Sequence, residues 1–259
     1  MRKRILEQPI DIVSMKEAAY IVKAALYNSR QMKVITLNPE MIVSACQNFE
    51  FQSAINNADL IVPDGTGVIW AFKLLNPGVL ESANRVPGIE LCENVLETAN
   101  ELGKKIAIFG STQNVLEKLS FSFKEKYPDI NIVKMIDGYH GQEEDNNIAS
   151  EIASENPDFV LVALGSPRQE IWINKYYRLF PHSIMIGVGG SLDIWSGKTK
   201  RAPQWMRNIH LEWLFRVITQ PQRSTRILKT LPKFIYMVFK ARFAKDKPLN
   251  SNLEQSTKV

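Results

Sequence analysis

The chain has 259 residues, 45% of them hydrophobic and 23% charged, which is the ordinary composition of a soluble globular protein. Its two cysteines, Cys46 and Cys92, lack metal-ligand spacing and are predicted to be buried thiols. No apolar run approaches the ~20 residues of a membrane-spanning helix, and no signal-peptide core is expected.

The net charge of +5 is distributed unevenly along the chain. Residues 195–247 carry 13 basic side chains and only two acidic ones, whereas residues 1–194 carry 18 basic and 24 acidic ones. An acidic body followed by a basic segment indicates that the basic segment meets an anionic surface.

Strand-like apolar runs alternate with stretches long enough for crossover helices. A capping box at Ser14–Glu17 opens the first helix, and Pro87 begins another that runs to about Leu102. The alternation predicts a Rossmann-like, doubly wound α/β fold with a mainly parallel sheet. The predicted strands are 33–37, 59–62, 105–109, 131–135, 159–164 and 184–188.

The character of the sequence changes after Gly197. Strand signals stop, and two helical stretches follow, Gln204–Thr219 and Gln222–Phe243, in which basic and aromatic residues are interleaved. We therefore predict an α/β catalytic domain over 1–195 and a basic, aromatic-rich helical appendage over 196–247. Residues 248–259 are polar and are predicted to be disordered.

Thr36 and Asn38 end the first strand of the predicted sheet. Because Asn38 precedes Pro39, helix capping explains it. Alternatively, both side chains point from the carboxyl end of the strand into a ligand-binding crevice, and the residues themselves do not decide between these roles.

Asp64 ends the next strand and is followed at once by a glycine turn, Gly65-Thr66-Gly67. A carboxylate just beyond a parallel strand lies where open α/β sheets hold their ligands. We therefore predict Asp64 as a catalytic acid or base.

Later loops at the same edge carry further candidates. Arg85 precedes a helix start, where it suits a phosphate, although an exposed surface arginine is an equal alternative. Tyr139 lies in the turn 137–141 after the fourth strand, and its neighbour His140 has no partners in metal-ligand spacing.

The two last strands end in Gly165-Ser166-Pro167-Arg168-Gln169 and in Gly187-Val188-Gly189-Gly190, followed by Asp193. Capping explains Ser166 and Pro167 but not Gln169. The glycine run indicates close approach to a nucleotide, with Asp193 available to a base or ribose.

The sequence argues against a P-loop, and therefore against an ATPase or kinase that binds phosphate through one. Gly197-Lys198-Thr199 lacks the glycine that a P-loop requires, because Leu192 occupies that position. No Asp-x-Asp pair is present either, so we expect arginines and helix N-termini, rather than a metal, to neutralise a bound diphosphate. The appendage supplies Arg201, Arg223 and Arg226 for this purpose, or for a membrane surface.

Taken together, the motifs resemble the WecG/TagA/CpsF family of bacterial glycosyltransferases, from about Ile10 to Arg226. The resemblance rests on the order and number of short motifs, each of which is weak alone. They are Thr36–Glu40, Ala58–Gly65, Arg85–Gly88, Gly165–Glu170, Gly187–Gly190, Arg201–Pro203 and Glu212–Arg216.

The resemblance implies an inverting, metal-independent transfer, without a cofactor, from a UDP-sugar to a polyprenyl-diphosphate-linked sugar. It implies a cytoplasmic protein, peripheral on the inner face of the plasma membrane, that acts in surface polysaccharide or teichoic acid synthesis; a homo-oligomer is one state left open. Asp64 is then the general base. The expected substrate-binding residues are Thr36, Asn38 and Arg85 near the sugar and diphosphate, Gln169 and Asp193 near the uridine, Arg216, Arg223 and Arg226 closing over the site, and in addition Tyr139, Gly165, Gly190 and Arg201.

Two other functions stay open at this stage. A nucleotide-dependent oxidoreductase is suggested by the parallel sheet and glycine turns but lacks a complete Gly-x-Gly-x-x-Gly fingerprint. A nucleic-acid binder is suggested by the basic segment but leaves the Asp64 crevice without a role.

Overall fold

A computed structural model of the chain describes residues 2–77, 84–209, 211–219 and 221–245, and within its helices the side chains of 216, 221–224 and 245 are not described. The predicted tail, 248–259, lies outside these residues. The chain begins with an antiparallel hairpin, β1 (Arg2–Ile5) and β2 (Gln8–Asp11), which the sequence analysis missed. Pro9 fits in β2 because every strand of a two-stranded hairpin is an edge strand, where proline is tolerated.

Six further strands form one sheet in which every pairing is parallel. Each predicted strand is confirmed to within one residue at either end. The strands are β3 (Met32–Leu37), β4 (Leu60–Pro63), β5 (Lys105–Gly110), β6 (Asn131–Ile136), β7 (Phe159–Ala163) and β8 (Ile184–Gly187), in the spatial order β4-β3-β8-β7-β5-β6.

Helices cover both faces of this sheet. The capping box at Ser14 is present, since its Oγ accepts from the Glu17 N–H and the Glu17 carboxylate accepts from the Ser14 N–H. In chain order the helices are α1 (Met15–Tyr27), α2 (Pro39–Ala45), α3 (Phe49–Asn56), α4 (Thr66–Leu75), α5 (Gly88–Glu101), α6 (Gln113–Lys126), α7 (Asp145–Ser154), α8 (Arg168–Tyr176), α9 (Ser191–Trp195), α10 (Gln204–Asn208), α11 (Glu212–Thr219) and α12 (Pro221–Lys245).

Successive side chains of a strand pack into separate cores on the two faces of the sheet, as expected when both faces are buried. In β3, Val34 belongs to the core cluster that includes residues of α1, α5, α6 and α9, whereas its neighbour Ile35 belongs to the cluster that includes residues of α2, α3, α4 and α12. A third cluster, built around Trp172, joins α7 and α8 to β5 and β7. The predicted doubly wound α/β fold is confirmed.

The basic segment packs on the body. Phe234 and Val238 of α12 are fully buried in the core shared by α2 and α4. The single helix predicted over Gln204–Thr219 is instead two helices, because α10 ends at Asn208 and α11 begins at Glu212. Between them the Leu211 N–H donates to the Met206 carbonyl at 2.8 Å. The boundary at residue 195 between body and appendage stays a prediction.

The two cysteines differ in their surroundings. Cys92 is buried in α5, as predicted, but Cys46 is exposed at the end of α2, so that prediction was wrong. Its helical stripe faces inward through Ile42 and Ala45, and Cys46 lies beyond the last buried position. Among the described residues, no helix combines the length and apolarity needed to cross a bilayer.

Candidate active site

Asp64 lies at the carboxyl end of β4, as predicted. Its N–H donates to the Leu37 carbonyl at 2.8 Å and so prolongs the β3–β4 pairing by one residue. Gly65 then adopts a φ of +96°, which favours glycine, and α4 starts at Thr66. The strand therefore fixes the Asp64 backbone while its side chain, 29% exposed, opens into a cleft.

Arg85 is held beside Asp64 by the backbone. The Val86 N–H donates to the Pro63 carbonyl at 2.8 Å, which ties the segment before α5 to the end of β4. Arg85 Nε lies 3.6 Å from Asp64 Oδ1, and Arg85 Nη2 lies 2.7 Å from Glu212 Oε2. Burial acts to lower the pKa of Arg85, but the charges of Asp64 and Glu212 outweigh it, and the pKa is raised.

A cleft of about 330 Å³ surrounds these groups, large enough for a small-molecule ligand. The sheet edge and α2 form one side, and α11 and α12 form the other. The appendage thus supplies a wall of the site. The lining residues are Asn38, Pro39, Glu40, Asp64, Gly65, Thr66, Gly67, Arg85, Glu212, Trp213, Ile227, Thr230 and Leu231.

Asn38 combines both roles that the sequence left open. Its Oδ1 accepts from the Met41 N–H at 3.0 Å and caps α2, and the residue also lines the cleft. Thr36 lies beneath the start of α5, where a Cβ added to Gly88 would come within 2.8 Å of Thr36 Cγ2. Gly88 therefore lets the α5 N-terminus approach the end of β3 closely.

Gln169 ties together the loops that follow β7 and β8. Its Oε1 accepts from the N–H groups of Gly165 and Gly189, both at 3.2 Å, and its Nε2 donates to Glu170 Oε1 at 2.6 Å. Both ends of this buried amide are therefore bonded within the protein. The geometry gives Gln169 a structural task at the sheet edge, while its predicted contact with uridine stays a prediction.

Asp193, predicted near the uridine, and Tyr139, predicted to bind substrate, follow other strands at the same edge of the sheet. Asp193, in α9 just after Gly190, has an Oδ1 3.2 Å from Lys198 Nζ. Tyr139 is 79% exposed in the loop after β6, which is the opposite edge strand from β4. Five strand spacings of about 4.8 Å separate those edges, so Tyr139 and Asp64 line different parts of the edge.

Two of the predicted appendage arginines pair with the body. Arg226 Nη2 lies 2.5 Å from Glu40 Oε1 at the cleft, and Arg201 Nη2 lies 2.6 Å from Glu90 Oε1 in the first turn of α5. The side chains of Arg216 and Arg223 lie outside the described residues, although their backbones belong to α11 and α12.

Sequence reasoning gave no role to Glu212, Trp213 or Glu40, which all line the cleft. Glu212 and Glu40 stand inside motifs that carried the family resemblance, and this was the available signal. No group of three His, Cys, Asp or Glu side chains suited to a metal occurs in the part of the chain that the structure describes.

A parallel doubly wound sheet with a charged cleft outside the carboxyl ends of its strands defines a ligand-binding α/β protein of the nucleotide-binding architecture. Comparison with known families narrows this class. The Glycosyl transferase WecG/TagA/CpsF family matches residues 3–248. The chain belongs to this family and is a glycosyltransferase.

Curated relatives support the assignment. One from Bacillus spizizenii strain W23 is 37% identical over 83% of this chain and 81% of its own length. Another, from Staphylococcus aureus strain NCTC 8325, is 33% identical over 92% of each chain. Both carry the name N-acetylglucosaminyldiphosphoundecaprenol N-acetyl-beta-D-mannosaminyltransferase. Family membership sets aside the oxidoreductase and nucleic-acid-binding alternatives.

Proposed function

We propose that this glycosyltransferase moves N-acetylmannosamine from a UDP-sugar to a polyprenyl-diphosphate-linked N-acetylglucosamine, with inversion. The observation that carries the proposal is the Asp64–Arg85 pair in the cleft of a chain this similar to enzymes with that name. The setting we propose is the cytoplasmic face of the plasma membrane, in the synthesis of a surface polysaccharide or teichoic acid.

The chemistry is a single displacement. The acceptor hydroxyl oxygen bonds to the anomeric carbon of the donor while the bond from that carbon to the UDP oxygen breaks. Asp64 takes the hydroxyl proton as the new bond forms, and UDP leaves with the electron pair. One inversion follows, because the acceptor attacks from the side opposite the leaving group.

Arginines stabilise the departing UDP in this proposal. A guanidinium donates paired hydrogen bonds to phosphate oxygens, and a preorganised cation counters the charge that develops on the leaving group. Arg85 already lies in the cleft beside Asp64, and Arg226 is held at its rim by Glu40. The mechanism therefore requires no metal or cofactor.

The lipid-linked acceptor calls for a membrane-facing surface near the cleft. Aromatic side chains of α4 and α12 form a continuous exposed row, with ring centroids 5.8 Å apart for Trp70 and Phe239 and 6.3 Å apart for Phe239 and Phe243. Lys240 and Arg242 lie on the same helix, and aromatic groups flanked by basic ones suit an anionic lipid interface. We call Trp70, Phe239 and Phe243 the aromatic row.

Release of UDP with a lipid-diphosphate-GlcNAc acceptor tests the function. Among UDP-ManNAc, UDP-GlcNAc and UDP-glucose, the first is expected to give turnover, unchanged by EDTA. Asp64→Asn is expected to lower kcat at least about 100-fold with little change in donor affinity, because only the proton acceptor is lost.

Asp129→Asn is the matched control, since Asp129 is exposed at the opposite edge of the sheet, before β6. Normal turnover by Asp64→Asn would remove Asp64 as the base. Strong inhibition by EDTA would contradict the metal-independent mechanism.

A further inference from the structure

Arg85 lies between two carboxylates that come from distant parts of the chain. Asp64 belongs to the body, with its Oδ1 3.6 Å from Arg85 Nε. Glu212 is the first residue of α11 in the appendage, with its Oε2 2.7 Å from Arg85 Nη2. One guanidinium is therefore shared, and the closer contact is with the residue to which no catalytic task has been given.

The burial of Glu212 shows that this contact is built into the fold. Only 5% of its side chain is exposed, and a carboxylate so far removed from water is costly unless it is paired and hydrogen-bonded. Its bond to Arg85 is short and charge-assisted. Removal of Glu212 would take away the nearer of the two carboxylates that contact this largely buried guanidinium, and the contact with Asp64 would remain.

We propose that Glu212 is a positioning residue of the transfer reaction, which holds Arg85 by one Nη group and shares its charge, so that Asp64 keeps the proton affinity of a working base. The proposal rests on the proposed function, in which Asp64 accepts the proton. Arginine can serve in this way because its fork offers five donors in fixed directions.

The charged groups around the cleft favour this role for Glu212. Among the described side chains that line it, these groups are Glu40 on α2, Asp64, Arg85 and Glu212, with Arg226 of α12 at the rim. Glu40 and Arg226 pair with each other at 2.5 Å, and Arg85 lies beside Asp64. Glu90 of α5 also acts on the charge of Arg85 and itself pairs with Arg201 and Arg207. A full, unshared ion pair with Arg85 would make Asp64 a weaker base.

The position of Glu212 also links the base to the appendage. Glu212 adjoins Trp213, which is 40% exposed and lines the same cleft. Any displacement of α11 carries Glu212 away from Arg85 and changes the charge around Asp64.

The dependence of kcat/KM on pH, measured with UDP-ManNAc and the lipid-diphosphate acceptor, tests the proposal. For Glu212→Gln the acidic limb is expected to move to lower pH by roughly 0.5 to 1 unit, with a plateau about 3- to 10-fold lower. Glu151→Gln removes one partner of an ion pair with Lys134 at 2.6 Å, outside the cleft, and is expected to leave the profile unchanged. A lower plateau without movement of the limb would overturn the proposal, because a merely structural residue gives that result.

Glu212→Asp keeps the charge and provides the second variant, which also serves if Glu212→Gln folds poorly. Its acidic limb is expected to coincide with that of the unmodified protein, and a limb displaced as far as that of Glu212→Gln would overturn the proposal. Asp64→Asn separates the two claims. Normal turnover by Asp64→Asn would refute the role of Asp64 as the base. If Asp64→Asn is inactive but the acidic limb of Glu212→Gln does not move, only the positioning role of Glu212 is refuted.

Discussion

At the scale of single residues, the adjacent pair Gln169 and Glu170 shows how a sequence motif can order the loops at the sheet edge through bonds within the protein. Gln169 bonds two loop N–H groups through its Oε1, and its Nε2 is oriented by Glu170. Glu170 itself is buried, and a Cβ added to Gly187 would come within 2.9 Å of its Oε1. This motif therefore fixes the ends of β7 and β8 relative to each other.

Glu170 makes the stability of the protein depend on pH. Burial raises the pKa of its carboxyl, so the folded chain holds this proton more tightly than the unfolded chain does. As pH rises from the unfolded value of about 4.3 towards the folded one, this residue's contribution to the free energy of unfolding falls, by at most about 1.4 kcal/mol per pH unit. Glu170→Gln still accepts the bond from Gln169 and is expected to remove that decline.

Urea unfolding at successive pH values between 5 and 8 measures the effect as the difference between the unmodified protein and the variant. Glu125→Gln, at an exposed position of α6, controls for the loss of one charge. Parallel pH curves for the unmodified protein and Glu170→Gln would show that Glu170 is not protonated in the folded state.

At the scale of secondary structure, one face of α12 contributes both to the wall of the cleft and to the buried core. One stripe of it, Ile227 and Leu231, lines the cleft, and the next residues along that stripe, Phe234 and Val238, enter the core. The spacing of four, three and four residues is that of a single helix face. Anchoring at Phe234 therefore sets the position of the cleft wall one turn away.

Phe234→Ala is expected to weaken the attachment of α12 by about 3 to 5 kcal/mol, because the truncation leaves a cavity against α2 and α4. Limited proteolysis is expected to cut within 221–245 much faster than in the unmodified protein. Tyr236→Ala provides the control, since Tyr236 is 65% exposed and its loss is expected to change the free energy of unfolding by no more than about 0.5 kcal/mol. Equal cutting rates in the two variants would contradict the anchoring role.

The sequence predicted the elements and the edge where the site lies, because buried parallel strands are continuous apolar runs and their carboxyl ends converge. It could not predict the Arg85–Glu212 contact, because the two residues are 127 positions apart and neither pattern nor spacing relates them. The hairpin was missed for a different reason, since β1 and β2 are short and half polar. Hydrogen bonds to distant parts of the chain help to hold it in place, such as the one from Arg2 to the Asp59 carbonyl at 2.8 Å, between residues 57 positions apart.

At the scale of the whole molecule, α4 and α12 contribute residues both to the cleft and to the aromatic row. Trp70 is a body residue, so the membrane-facing surface that we propose is not confined to the appendage. In our proposal its apolar groups insert into the membrane, and the basic residues of α12 attract anionic lipid.

Sedimentation with vesicles that contain about one-third phosphatidylglycerol tests this surface. The unmodified protein is expected to bind and to be released progressively as salt screens the basic side chains. The double variant Trp70→Ser with Phe239→Ser is expected to bind roughly 10- to 100-fold more weakly, since two half-exposed aromatic groups no longer insert. Phe121→Ser, which alters a side chain 77% exposed on α6, is expected to bind normally. Equal losses in both variants would remove the aromatic row as the docking surface.

The strand order has a consequence for how the enzyme is made. β8 lies between β3 and β7, and Met32 and Phe159 both pair with Ile184. A chain that lacks β8 can pair only β4 with β3 and β7 with β5 and β6, so the edges of β3 and β7 that face β8 stay open to wrong partners. The last strand to be synthesised closes both edges at once. A chain truncated upstream of β8 is therefore expected to expose two strand edges that can pair with other chains, instead of forming a smaller enzyme.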